Sequence, residues 1–293
     1  MEKVNIAEIN YKNYNNCLRI TNNLVEVIVF MENTIRIVKY GYVNGNNQFE
    51  DILIDNDSRD IIGGGHSFSY IPQIDQNVDF IDNQGITYER ISSGIRLIQN
   101  IEKWTQIRRV IEIIFYENST KIKVIHKILS LNAFDINIAI CSNTVVRNGG
   151  IEIIPFSIGN NRDVPNKSLV FWPYSNLKDS RVYLGDKYIA MKVNENICDR
   201  FRMGVNTDLR YVLYYNNNEM FVKEFDEIKG CYEYPNMGCK YESLITTNYL
   251  EMKSNSPIYK LSTNNYITHI EVWNIYKDIN LDFIDKFIDQ YNK

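Results

Sequence analysis

The chain has 293 residues, 44% hydrophobic and 23% charged, with a formal net charge of −4. These are values of a folded globular protein, so wholesale disorder is excluded. No stretch approaches the roughly 18 apolar residues of a membrane span, Met1 to Tyr11 lacks the apolar run of a secretory signal, and scattered Lys and Arg offer no basic face to nucleic acid.

In chain order the pattern is one of short strands between Asn, Asp and Gly turns. Cys17 to Ile20, the turn Thr21-Asn22-Asn23 and Leu24 to Phe30 predict a hairpin. Thr34 to Tyr42 follows, closed by Asn44-Gly45-Asn46. Further strands are predicted over Thr87–Ser92, Ile95–Ile101, Arg108–Tyr116, Lys121–Leu131, Asp135–Ser142 and Ile151–Phe156. Ile122, Val124, His126 and Ile128 share one side, with Lys121, Lys123, Ile125 and Lys127 on the other. That alternation is the period of a half-buried strand. The second half continues with Ser168–Trp172, Tyr188–Val193, Leu209–Asn216, Glu219–Phe225, Tyr241–Thr246, Tyr249–Lys253 and Thr268–Tyr276. Only the tail, about 280–292, reads as a helix, with Leu281, Ile284, Phe287, Ile288 and Tyr291 on one side, packed outside a sheet.

No Gly/Ser/Pro-rich linker and no 20–50-residue repeat divides the chain, so one all-β domain over 1–293 is expected, a large sandwich or barrel. Helical spacers, GxGxxG, GxxxxGK[ST] and GxSxG are absent, which argues against parallel α/β, nucleotide-binding and hydrolase folds. The 38 Asn, 43 Ile and 21 Tyr suit turns and strands, and A/T-rich codons give the same bias as a sugar-binding surface of amides and rings. Five irregularly spaced Cys without a CxxC pair indicate reduced thiols and a cytoplasmic protein. Cys231 and Cys239 flank a loop but have no second Cys or His pair nearby, so neither a metal nor a cofactor is expected.

Five segments carry candidate chemistry. In Ile61 to Gln73, the run Gly63-Gly64-Gly65-His66 reads as a ligand-facing loop whose His66 can donate a proton near neutral pH, or as a tight turn. Phe171-Trp172-Pro173-Tyr174 offers a rigid stacking platform for a pyranose, or places Trp172 in the core. Glu242, sharing a strand face with Lys240 and Leu244 after Gly238-Cys239, is a general base or a surface carboxylate. Asn143, Arg147 and Asn148 supply directional donors for hydroxyls, or form a hairpin loop. Lys223, opposite Val222 and Glu224, meets a ligand carboxylate or phosphate, or is solvated.

Together these residues resemble the galactose mutarotase-like superfamily. Leu18-Arg19-Ile20-Thr21-Asn22-Asn23-Leu24-Val25-Glu26-Val27 is similar to its opening hairpin, and Gly63-Gly64-Gly65-His66 with Pro72-Gln73 to its glycine loop. Arg202-Met203-Gly204-Val205-Asn206, Tyr214-Tyr215, Phe221-Val222-Lys223 and Gly238-Cys239-Lys240-Tyr241-Glu242 resemble a branch of unknown function, as do Leu250-Glu251-Met252 and His269-Ile270-Glu271-Val272-Trp273. The resemblance runs from about Leu18 to Tyr276. It implies a β-supersandwich of two large, mostly antiparallel sheets that binds carbohydrate on a concave face. In aldose 1-epimerases of that superfamily a Glu takes the anomeric hydroxyl proton and a His protonates the ring oxygen. Glu242 matches the base. The family's His positions read Asn143-Thr144-Val145 and Phe171-Trp172-Pro173 here, without His, so the acid falls to His66; His126 is expected buried on an apolar face.

The resulting expectation is a small-carbohydrate-binding protein with acid–base chemistry at an anomeric centre. Glu242 and His66 would be catalytic, and Asn143, Arg147, Trp172, Tyr174 and Lys223 would hold the sugar. A binding module without turnover and a structural β-sandwich are the alternatives. They differ in whether His66, Arg147, Lys223 and Glu242 converge on one ligand.

Overall fold

The computed structural model describes residues 4–32, 34–50, 64–72, 85–156, 163, 165–206, 210–226 and 232–291. A first sheet opens with β1 (Asn5–Tyr11), β2 (Tyr14–Thr21), β3 (Val25–Phe30), β4 (Arg36–Tyr42) and β5 (Gly65–Ile71). A second sheet takes β6 (Ile86–Ile91), β7 (Gly94–Gln99), β8 (Ile107–Phe115) and β9 (Ile122–Ser130). The chain then alternates between them. β10 (Ile136–Val146) lies in the first, β11 (Ile151–Pro155) in the second, β12 (Ser168–Phe171) in the first, and β13 (Val182–Leu184) with β14 (Tyr188–Lys192) in the second. β15 (Phe201–Asn206) returns to the first, and β16 (Tyr211–Asn216) and β17 (Glu219–Phe225) to the second. After a short turn α1 (Pro235–Gly238), β18 (Tyr241–Ile245), β19 (Leu250–Asn255) and β20 (Tyr259–Leu261) complete the first sheet, β21 (Tyr266–Tyr276) joins the second, and α2 (Leu281–Tyr291) ends the fold.

The strand orders are β1-β2-β3-β4-β5-β10-β19-β18-β15-β12, with β20 on β10, and β13-β14-β11-β16-β17-β21-β9-β8-β7-β6. Each pairing between named strands is antiparallel. One apolar core fills the space between the sheets, with Val27, Ile37, Ile140, Met203 and Tyr241 from the first and Ile111, Val124, Phe221 and Trp273 from the second. This is the expected all-β sandwich. Among the described residues no helix is long and apolar enough to cross a membrane.

The Asn abundance has a local use. Of the twelve described non-Gly residues with positive φ, eight are Asn, including Asn23, Asn44, Asn217 and Asn218 in turns. Asn tolerates this left-handed region because its short amide bonds its own backbone. At the first hairpin Asn22 Oδ1 accepts the amides of Leu24 and Val25 at 3.1 and 3.0 Å. The α2 helix starts where Asn280 Oδ1 caps the Phe283 amide at 3.0 Å. Its Ile284, Phe287 and Ile288 bury against Ile153, Leu213, Met220 and Val222 on the outside of the second sheet, as the spacing predicts.

The glycine run differs from its expected role as a ligand loop. Ile61, Ile62, Gly63 and Gln73 lie outside the described residues, as does Cys231. Gly65 opens β5 with φ +81, and a Cβ there would sit 2.3 Å from the Ile37 carbonyl oxygen. Glycine is required by the close crossing of β4, and His66 pairs with Ile37 on that side and Thr144 on the other.

Candidate functional site on the outer face of the first sheet

Alternation along β10, β19, β18 and β15 puts Asn143, Lys253, Glu242 and Gly204 in one register row. Their strand neighbours Thr144, Met252, Tyr241 and Met203 turn inward, so this row faces outward. At the usual strand spacing the row spans roughly 14 Å. Arg202 lies two residues before Gly204 and points the same way. The amide of Trp172 donates to the Arg202 carbonyl at 3.4 Å, and the Arg202 Cζ sits 4.4 Å from the Trp172 ring centre. Tyr174 follows in the turn closed by Ser175 N to Trp172 O, half exposed and within the electrostatic reach of Arg202.

Glu242 is the hub. Asn236 Nδ2 and Asn255 Nδ2 donate to its Oε1 at 2.7 and 2.8 Å. Arg202 donates to Oε2 through Nε at 3.1 Å and through Nη2. A carboxylate has about four acceptor positions, and here all are taken. Burial alone would raise the carboxyl, but Lys253, Arg202 and the two amides outweigh it and hold it below the usual range. The neighbouring thiols of Cys141 and Cys239 are each pushed up to about 12 by burial and stay protonated.

Asn236 arrives through a strained turn. Asn236, Met237 and Gly238 all have positive φ, at 54, 64 and 92. For Met237 such a conformation costs about 1–3 kcal/mol and persists where its surroundings fix it. Here Cys239 N bonds Pro235 O and Asn255 Nδ2 bonds Cys239 O, at 2.9 and 3.0 Å. Cys239 packs over Gly204, where a Cβ would meet its Sγ at 2.1 Å and Glu242 Cγ at 3.6 Å. Gly204→Ala is therefore expected to destabilise by about 1–3 kcal/mol. A urea unfolding midpoint equal to wild type would refute that close packing.

Several solved structures share this arrangement of sheets. A galactose mutarotase-like protein from Clostridium acetobutylicum superposes with a TM-score of 0.59 at 11% identity, over 94% of this chain and 99% of that one. Another from Lactobacillus casei gives 0.56 at 6% identity, over 89% and 100%. The chain has the galactose mutarotase-like fold. A TPR-domain containing protein from Parabacteroides distasonis matches with a TM-score of 0.61 at 10% identity, covering 92% of this chain and 48% of that one. This chain thus spans about half of that protein's length. No family model and no curated protein matches the sequence.

The mutarotase-like sandwich gathers Glu242, Asn143, Trp172 and Tyr174 on or beside the outer face and adds Arg202, Lys253, Asn236 and Asn255. It does not bring the other expected residues there. Arg147 follows the end of β10, with its guanidinium on Asn46 at 3.4 Å and its carbonyl taking the Tyr214 hydroxyl. His66 and Lys223 project inward, both fully buried between the sheets.

There they join a polar ladder with His126 and His269, so all three histidines are interior. His126 Nδ1 lies 3.0 Å from the His269 carbonyl, which only accepts, so Nδ1 carries the proton and Nε2 accepts. His66 Nε2, 2.8 Å away, is then the donor, and its Nδ1 accepts from the Thr144 hydroxyl at 2.8 Å. Thr144 Oγ1 in turn accepts from Lys223 Nζ at 2.9 Å. Lys223 pairs with Glu271 Oε1 at 3.1 Å, which also takes the Ser142 and Ser254 hydroxyls, both at 2.6 Å. Trp273 Nε1 donates to Oε2 at 2.7 Å. With its proton on Glu271, Ser254 Oγ accepts from His269 Nε2 at 2.6 Å, leaving His269 Nδ1 buried without a partner. The result is one ion pair and three neutral imidazoles of fixed tautomer. His66, His126 and Glu271 bring ligand atoms within 4.8 Å of one another, as a metal site would need. Their lone pairs are already committed to hydrogen bonds, and the Lys223 ammonium supplies the positive charge.

A shallow groove of about 700 Å³ opens elsewhere, lined by Asn148, Ser180, Lys192, Asn194, Glu195 and the wholly engaged Arg181. No aromatic ring occurs among its lining residues.

Proposed function

We propose that the protein binds a carbohydrate on the outer face of the first sheet, between Trp172 and Asn143. The observation that carries this reading is a pair of buried amide oxygens, Asn143 Oδ1 and Asn255 Oδ1, that lack hydrogen-bond partners beside charged donors. Unpaired buried acceptors are costly, and a sugar hydroxyl both donates and accepts. Trp172 and Tyr174 supply ring faces at one end. The names of the fold's neighbours, galactose mutarotase-like, agree with a sugar ligand.

Binding without turnover is the form we favour. Glu242 is ionised with every acceptor position filled, and no imidazole faces this side to act as acid. One contact supports a second reading. Arg202 covers a face of Trp172 that a pyranose could use, so a stacking sugar would draw Arg202 off Glu242 and free Oε2 as a base. Polarimetry separates the two. Anomer exchange by wild type that Glu242→Gln abolishes supports catalysis, and equal rates support binding alone.

Binding itself is tested by thermal shift against a panel of aldoses and sugar acids. Saturable stabilisation is expected, and Trp172→Ala should weaken it about tenfold, the worth of one ring contact of about 1–1.5 kcal/mol. No stabilisation by any sugar, or unchanged affinity in Trp172→Ala, would sink the proposal.

A further inference from the structure

We propose that the ligand of this outer-face site carries an anionic group, a carboxylate or a phosphate, and that the Lys253 ammonium receives it. The inference deepens the carbohydrate reading and rests on it for the location of the site.

The argument begins with what Glu242 leaves over. Its Oε1 is occupied by Asn236 and Asn255, and its Oε2 by two nitrogens of Arg202. Lys253, opposite Glu242 in the β18–β19 register, comes no nearer than 3.6 Å to Oε2, beyond hydrogen-bond length. Among the described residues that is its one ion pair. Its side chain is only 12% exposed. An ammonium so nearly withdrawn from water, with carboxylates near it but three donors and no hydrogen bond, awaits an acceptor.

The surroundings do not supply one. Across the sheet Lys253 faces Asn143, whose Oδ1 is also unpaired. Two residues away on the same face, the Glu251 carboxyl is pushed up by burial, which weakens the other anion of the patch. Arg202 as well as Lys253 lies within electrostatic reach of Glu251. Lys253 and Arg202 therefore face Glu242 and Glu251, and the acceptor positions of Glu242 are filled by Arg202 and amides. The cation left without a hydrogen bond is Lys253, beside an amide acceptor suited to a hydroxyl. An oxyanion and a hydroxyl on one ring satisfy both groups, and charge-assisted hydrogen bonds are the strong ones. The sequence points to an anion-binding lysine at Lys223, but that residue is already neutralised by Glu271 inside the sandwich.

The test is isothermal titration calorimetry on the full chain with galacturonate, glucose 6-phosphate, galactose and glucose, and with inorganic phosphate and acetate as anions lacking a sugar. Wild type is compared with Lys253→Gln and Lys253→Arg at about 20 and about 200 mM salt, a range over which exposed charges become screened. At least one charged sugar should bind about tenfold or more tightly than its neutral parent, with added salt weakening it. Lys253→Gln should erase that preference and Lys253→Arg should keep most of it. The carboxylate and phosphate arms identify the anion. Neutral sugars binding as tightly as their charged relatives, or an unchanged preference in Lys253→Gln, overturns the inference while leaving carbohydrate binding intact. Phosphate or acetate binding lost in Lys253→Gln, with no sugar bound, supports the anion site and sinks the carbohydrate reading. No binding by any probe overturns both.

Discussion

Glu271→Gln is expected to lower the unfolding free energy by roughly 3–5 kcal/mol, the usual cost of stripping one partner from a buried ion pair. Glu271 accepts from Ser142, Ser254, Trp273 and Lys223 at once, and each of these donors is fully buried or nearly so. An amide removes the charge that neutralises Lys223 and places N–H groups where only donors point. The measurement is a urea titration, in which the midpoint should fall with little change in slope. Adding Lys223→Met to Glu271→Gln should recover part of the loss, because the uncompensated ammonium goes with it. A midpoint equal to wild type in the single variant would dismantle the ladder.

The same ladder makes the sandwich acid-labile. Burial pushes His269 down to about 3 from an ordinary 6.5, with the field of Glu271 opposing only in part. His66 and His126 are lowered for the same first cause. Between about pH 6.5 and 3 the unfolded chain therefore binds protons that the folded one refuses, and stability falls as pH drops through that window. For His269 alone the loss by pH 4 is about 3 kcal/mol. Glu271 acts in the same direction. Burial would raise it, but the Lys223 ammonium holds it far below the ordinary carboxylate range, so its contribution exists above about pH 4.5 and is lost below. Glu152, under the Tyr241 and Ser243 hydroxyls, works the other way. Burial raises it to about 7, so its penalty is relieved on acidification. Three imidazoles and the lowered carboxyls of Glu271, Glu242, Glu26, Glu112 and Asp179, against the raised Glu152, Glu251 and Asp226, leave a net loss. Thermal unfolding at pH 7, 5 and 4 should show a steep fall in the midpoint, and a flat profile would contradict the neutral-imidazole assignment.

The fold was legible because period-two alternation and Asn turns are local signals. The Lys121–Leu131 strand and the α2 tail match their observed spans closely. β1, β5, β13 and β20 are not predicted because they are short, polar or headed by glycine, and β15 because Gly204 interrupts its alternation. The site was legible only in part. Glu242 and Trp172 stand out by residue type and context, whereas Lys253 is predicted only as the end of a strand. The contact of Glu242 with Arg202 depends on β15 lying beside β18, a register across forty residues that no local pattern encodes. His66 and Lys223 look like site residues by chemistry, yet they fall on the inward phase of their strands. One step in a two-residue period decides between ligand and core.

The interior placement of every histidine also governs how the molecule behaves as a polyion. Histidine is the side chain whose ordinary ionisation falls between pH 5 and 8, and here none sits on the exterior. The solvent-facing shell is therefore nearly silent as a buffer across that range, and its electrophoretic mobility should stay almost constant until unfolding begins. A change in ligand affinity between pH 6 and 8 then reports the ionisation of the ligand or of the buried Glu152, raised to about 7, and a Glu152→Gln variant separates the two. A phosphate monoester, whose second proton leaves near pH 6, would show such a change, whereas a carboxylate would not.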